Sequence, residues 1–318
     1  MGIINKLVCL VFVTVLVAAG SSSFAGDAPG KLAFVRGGSI WLAHSDGSRA
    51  RRLTHATQDR QPALSPDGRW LAYVSGSEAK SGYGRIFLMS SGGGRARLFL
   101  PLGLQGGEHP AFSAGGKSLV FVGLAGLQVK KEEGGEQSFA TMSVSVADVK
   151  GIAVRQIISS PNTMLDAGYR YSNPAFSPDG KLLAYQESGS DVSGGFVVIN
   201  LKGEKVFSFP QNREDYTPYW RPQFTRDGQK ILCYSPATSE DQVDTIYLVD
   251  LATGKKMEVA EGSKPTWVDQ GRAIVFERWP QERWKASGKV TADLWRLELA
   301  PGAQAHKIIT DGHEPAGQ

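Results

Sequence analysis

The chain has 318 residues, with 35 Lys and Arg against 31 Asp and Glu, a net charge of +4 at neutral pH. That balance, with no basic run, argues against nucleic acid as the main partner. Two cysteines, one of them in the N-terminal apolar segment, exclude a disulfide framework, and 38 glycines among short apolar runs point away from helices and toward strands.

The first 25 residues read as a cleaved signal peptide. Lys6 supplies a short positive start, Leu7 to Ala19 is nearly unbroken apolar sequence, and Ser23-Phe24-Ala25 sets cleavage before Gly26. The apolar run is shorter than the ~20 residues a membrane span needs. No later segment is long and apolar enough to span either. The expected compartment is the periplasm, and the expected fold occupies residues 26–318. Cys233 lies in the apolar run Ile231-Leu-Cys-Tyr234 and is expected to be a buried, inert thiol.

An internal repeat then decides the fold. Pro62-Ala-Leu-Ser-Pro-Asp-Gly68 is followed by Arg-Trp-Leu-Ala-Tyr-Val74, and Pro174-Ala-Phe-Ser-Pro-Asp-Gly180 by Lys-Leu-Leu-Ala-Tyr185. Weaker copies start at Pro110, Pro222 and Pro265. Each continues into a third apolar run (Ile86–Met89, Met142–Val146, Phe196–Ile199, Ile246–Val249, Leu294–Leu297), a glycine turn and a fourth run. The unit is four strands, a-b-c-d, with a Ser-Pro-Asp-Gly turn between a and b. Its b-strands are apolar on both faces and can be buried only by stacking units around an axis. Ile40–Ala43 adds a sixth c-strand, but its unit has no room for strand a. His313-Glu-Pro-Ala316 repeats the start of a unit, so the C-terminus is expected to complete the first blade. The expected fold is all-β: a single six-bladed β-propeller of four-stranded antiparallel blades, closed by the C-terminal strand.

These units resemble the repeat of the TolB-like, or WD40-like Pro-Asp (PD40), propeller family, which reads Pro-x-aromatic-Ser-Pro-Asp-Gly-Lys-x-Leu-Ala-Tyr. The match is close at Pro62–Tyr73, at Pro174–Tyr185 and at Arg51-Arg-Leu-Thr54, and it departs at Ala114-Gly115 and Val268-Asp269. The resemblance implies the fold and leaves function open, because the same repeat builds periplasmic TolB propellers, peptidase propellers and oligogalacturonate lyases. TolB proteins also carry an α/β domain before the propeller. With only about five residues between the expected cleavage site and the first blade, only the propeller part of the resemblance applies.

In this topology the a–b and c–d turns share one face and the b–c and d–a connections the other. Length variation falls on the second face: 123–140, 159–173, 210–221 and 277–293, with 130–136 expected to be an unstructured insertion. Binding is expected there. The residues preceding the strand-a prolines should ring the channel mouth: Gln61, His109, Asn173, Arg221, Lys264 and Glu314. Three aromatic and arginine groups join them as candidates: Tyr169 and Tyr171; Tyr216, Tyr219 and Trp220; Arg278, Trp279, Arg283 and Trp284. His109 and His313, beside Glu108 and Glu314, could bind a divalent metal in the channel mouth, but their spacing fixes no geometry and no cofactor is expected.

No Gly-x-Ser-x-Gly elbow or phosphate loop appears, which excludes the peptidase chemistry associated with that fold. The expected function is a non-catalytic, monomeric module that binds a protein or peptide of the cell envelope. The alternative is a polysaccharide-acting enzyme of the oligogalacturonate-lyase type.

Overall fold

The computed structural model describes residues 29–76, 83–99, 101–132, 135–151, 153–164, 171–189, 192–210, 217–239, 242–280 and 290–318. The segment read as a signal peptide lies outside them. They form six four-stranded antiparallel sheets, each ordered a-b-c-d from the axis outward. Blade 2, for example, runs Arg60–Leu64, Trp70–Ser75, Arg85–Ser90 and Arg97–Phe99. Among the described residues no helix is long and apolar enough to cross a membrane.

The turn chemistry of the repeat explains why each blade folds locally. In blade 2 the Ser65 hydroxyl donates to Asp67 Oδ1 (2.5 Å), and the Arg69 N–H donates to the same oxygen (3.0 Å). Gly68 takes φ +63°, the left-handed conformation that closes the turn. The hydroxyl and the backbone N–H both favour the charged carboxylate, holding Asp67 below its ordinary range. Asp179 and Asp227 repeat this arrangement with Ser177 and Thr225.

Packing follows from the b-strands. Leu32 and Phe34 are fully buried against blade 6, and Ala33 and Val35 face blade 2. The other blades alternate likewise, giving six apolar cores for six blade interfaces. Burying alternate faces against different neighbours requires both faces to be apolar, as the sequence has it.

The ring closes as expected. His313–Gly317 pairs antiparallel with Lys31–Arg36, matching Leu32 to Gly317 and Ala33 to Ala316. On the a–b turn side Asp269 binds the two ends together. It accepts from Gly30 N (2.8 Å) and the Ser45 hydroxyl (2.9 Å) and pairs with Arg296 at 2.7 Å.

Blade 3 departs from expectation. The stretch 123–140 is largely strand: Ser118–Glu132 and Gly135–Asp148 pair along their length, and Lys130 and Lys131 face Gln137 and Glu136. The fourth strand, Val154–Met164, follows them outward. The described residues of the insertion, 130–132 and 135–136, therefore extend two paired strands of the blade. Their alternating Lys130/Gln137 and Val129/Ser138 pairs supply the cross-strand contacts a polar strand pair needs.

Candidate functional site

Strand a of every blade carries the same defect. Its pairing with strand b slips between the residue two before the proline and the residue after it: between Arg60 and Ala63, Glu108 and Ala111, Ser172 and Ala175, Trp220 and Gln223, and Ser263 and Thr266, with a matching slip in blade 1. The bulged residue is the one before proline, and in all six blades it has a left-handed φ: Gln61 50°, His109 53°, Asn173 49°, Arg221 58°, Lys264 47° and Glu314 49°. Non-glycine residues avoid this region, at a cost of order 1–3 kcal/mol each. Such bulges turn a side chain out of the sheet's alternation. Here they turn six polar side chains toward the axis, where all six line one central cavity of about 390 Å³.

Deeper in, the cavity wall is made by the residues two further along: Ala63, Ala111, Ala175, Gln223, Thr266 and Ala316. Four of the six are alanines, which keep the channel open where the blades come closest. Gln186, Tyr234 and Trp267 also line the cavity and were not singled out in the sequence.

The mouth residues are bound to one another across blades. The Gln61 N–H donates to Glu314 Oε2 (2.6 Å), and the His109 N–H to Gln61 Oε1 (2.7 Å). The Glu314 N–H donates to Glu277 Oε1 (2.7 Å). Each left-handed residue on this arc thus has its N–H held by a side chain of the preceding blade, which stabilises the strained backbone. Asn173 Nδ2 reaches Gln186 Oε1 (3.2 Å). Arg221 Nη2 spans blade 6 to donate to the Pro315 carbonyl (2.9 Å).

Two fully buried glutamates support the ring. Glu277 accepts from Glu314 N, from Lys264 Nζ (3.2 Å) and from Trp279 Nε1 (3.2 Å). Glu108 Oε1 accepts from Arg60 Nη2 and from Gly84 N, both at 2.6 Å. Burial pushes the Glu108 carboxyl up, against the opposing effect of Arg60. An acid ending the apolar run Ile274-Val-Phe-Glu277 is the signal that marks Glu277 in the sequence. Burial lowers the His109 imidazole to about 4, the nearby Arg221 and Arg60 acting with it and Glu314 against it. His109 is therefore neutral at neutral pH.

The aromatic candidates divide. Trp220 is half-buried at the cavity and meets Tyr234 edge-on at 5.9 Å. Tyr219, its neighbour, is fully buried, packed on Phe209 at 4.7 Å and accepting from Lys256 Nζ (2.5 Å). Tyr171 is buried against Tyr185. Both tyrosines are core residues here. Arg278 lies over the Trp295 ring at 4.4 Å and donates to the Glu261 carbonyl. Trp279 meets the His313 ring at a tilt, 5.4 Å between centroids. Tyr169, Tyr216, Arg283 and Trp284 lie outside the described residues. Among the described residues no three His, Cys, Asp or Glu side chains converge as metal ligands. Cys233 is buried, its thiol pushed up to about 12 by desolvation.

No family model matches the chain. One curated relative, an uncharacterized peptidase (YuxL) of Bacillus subtilis, is 26% identical over 172 residues, covering 46% of this chain. The chain spans only 24% of that protein's length. Among solved structures, TolB from Acinetobacter baumannii superposes with a TM-score of 0.63 at 18% identity, over 92% of this chain and 68% of that one. An oligogalacturonate lyase from Vibrio parahaemolyticus gives 0.54 at 15% identity, over 86% and 71%. At such identities the likeness is one of fold, and the fold this chain shares is that of the TolB-like propellers.

Proposed function

We propose that this chain is a periplasmic, non-catalytic binding module that works as a monomer and receives a protein or peptide of the cell envelope on the channel-mouth face. The observation that carries this reading is the ring itself. Six bulges, each costly alone, turn six polar side chains onto one open cavity, and strain of this kind collects at ligand sites. Capture of partners from envelope extract, with wild type and a Trp220→Ala/Arg221→Ala double variant, tests it. A partner held by wild type and lost by the variant supports the face, and identical partner sets refute it. Intact mass of the exported protein, starting at Gly26, tests the leader.

A second reading, an enzyme acting on a polyuronate, is favoured by the superposition on an oligogalacturonate lyase and by Arg221 and Lys264 in the channel. Release of unsaturated product from oligogalacturonate, with or without added manganese, would support it over the first.

A further inference from the structure

The hydrogen-bonding capacity of the cavity is unevenly used. On the arc from blade 6 through blade 3, acceptors are occupied: Glu277, Glu314 and Gln61 each hold the N–H of the next blade's bulge. The wall built by blades 5 and 6 offers donors. Among the described residues Arg221 makes a single hydrogen bond, to the Pro315 carbonyl, and has no carboxylate within ion-pair distance. A guanidinium carries five N–H donors, so most of its fork stays open toward the cavity. The Tyr234 hydroxyl lies within electrostatic reach of Arg221 and makes no hydrogen bond among the described residues. Trp267 Nε1, a donor only, is buried in the same wall without a partner among the described residues. Lys264 is neutralised by Glu277 at 3.2 Å, as Arg60 is by Glu108 at 2.6 Å, so that among the described residues Arg221 is the cation of the mouth without an ion-pair partner.

We propose that the channel captures the carboxylate of its ligand on Arg221, with the Tyr234 hydroxyl as second donor, and that the carboxylate is the C-terminus of an extended chain. This deepens the binding reading above and rests on it. A planar guanidinium matches a carboxylate through two parallel hydrogen bonds. A cavity of about 390 Å³ is of small-ligand size and admits a chain end, not a folded domain. A chain entering from the mouth face keeps the residues before its terminus at the mouth, and the space beside Ala63, Ala111 and Ala175 below takes the terminal side chain.

The test uses the exported full chain, immobilised, and a pool of randomised tetrapeptides with free C-termini, compared with the same pool amidated and with succinate as a free small acid. The expected result is at least tenfold preference for the free-acid pool over the amide, about 1.4 kcal/mol. Arg221→Gln should abolish the preference and Tyr234→Phe should weaken it several-fold, each still folded at the assay temperature, with Arg221→Gln melting only the few degrees lower that its bond to Pro315 accounts for. Arg221→Lys, which keeps the charge and loses the fork, should fall between. Succinate competing as well as the peptides would move the source to a free acid and refute the chain-end assignment. Equal retention of acid and amide pools, no retention of either, or an Arg221→Gln variant indistinguishable from wild type would overturn the proposal. An envelope partner lost by the Trp220→Ala/Arg221→Ala variant but kept by Arg221→Gln would sustain the binding reading while this inference failed.

Discussion

Removing His313–Gln318 should open the propeller. The deletion takes strand a from blade 1 and leaves Lys31–Arg36, whose Leu32, Ala33 and Phe34 are fully buried, as an unprotected inner edge. Besides the strand ladder it removes five hydrogen bonds to other blades: Gln61 N to Glu314, Glu314 N to Glu277, Gly317 N to Thr266, Arg221 to Pro315, and Gln318 to Pro66. At about 1 kcal/mol each these amount to roughly 5 kcal/mol, comparable to the whole stability of many domains. The melting temperature, read by circular dichroism, should fall by at least ~10 °C, and near-ultraviolet signals should broaden. A synthetic peptide of residues 311–318 added in trans should recover part of the loss. A truncated protein melting within two or three degrees (about 1 kcal/mol) of the full chain would refute closure as the source of ring stability.

Glu277→Ala should cost about 3–5 kcal/mol, because it leaves Lys264 without its buried counter-charge and the donors Glu314 N and Trp279 Nε1 without their acceptor; Glu277→Gln, which retains a carbonyl acceptor, should cost less, and equal denaturation midpoints for Glu277→Ala and wild type would refute the role given to this carboxylate. Stability should also fall with acid through His109: below pH 6.5 the unfolded chain takes up a proton that the folded one, with its imidazole at about 4, does not bind, so up to about 3 kcal/mol is lost between pH 6.5 and 4. The raised Glu108 carboxyl gives a slope of opposite sign, so the measurement is the difference between wild type and His109→Gln, and parallel pH profiles would refute it. Cys233 should resist thiol reagents in the native protein and react in full once the chain unfolds.

The positions of the channel ring were legible in the sequence because each precedes a proline that opens strand a, and a repeat puts equivalent residues at equivalent places around an axis. Their conformation was not legible. The rule that a residue before proline favours extended backbone points away from the left-handed geometry they adopt, and only the inter-blade hydrogen bonds at Gln61, His109 and Glu314 show what holds it. Tyr219 and Trp220 illustrate the same limit. They are neighbours in one aromatic group, yet one is in the core and the other at the cavity, because adjacent residues of an extended chain point opposite ways.

The sequence by itself determined the blade, the number of blades and the way the ring closes. Those depend on local turn chemistry and on the two-faced apolar b-strand, both repeated often enough to be read from spacing. Only the tertiary structure decided which polar groups at the mouth are occupied and which are open. Glu277, Glu314 and Gln61 are bound to neighbouring blades, whereas Arg221 reaches across blade 6 to a single carbonyl. The physical reason is that these partners lie one or two blades apart, tens to hundreds of residues along the chain; Gln61 and His109 meet when blade 3 packs on blade 2, and the others only when closure brings the first and last blades together.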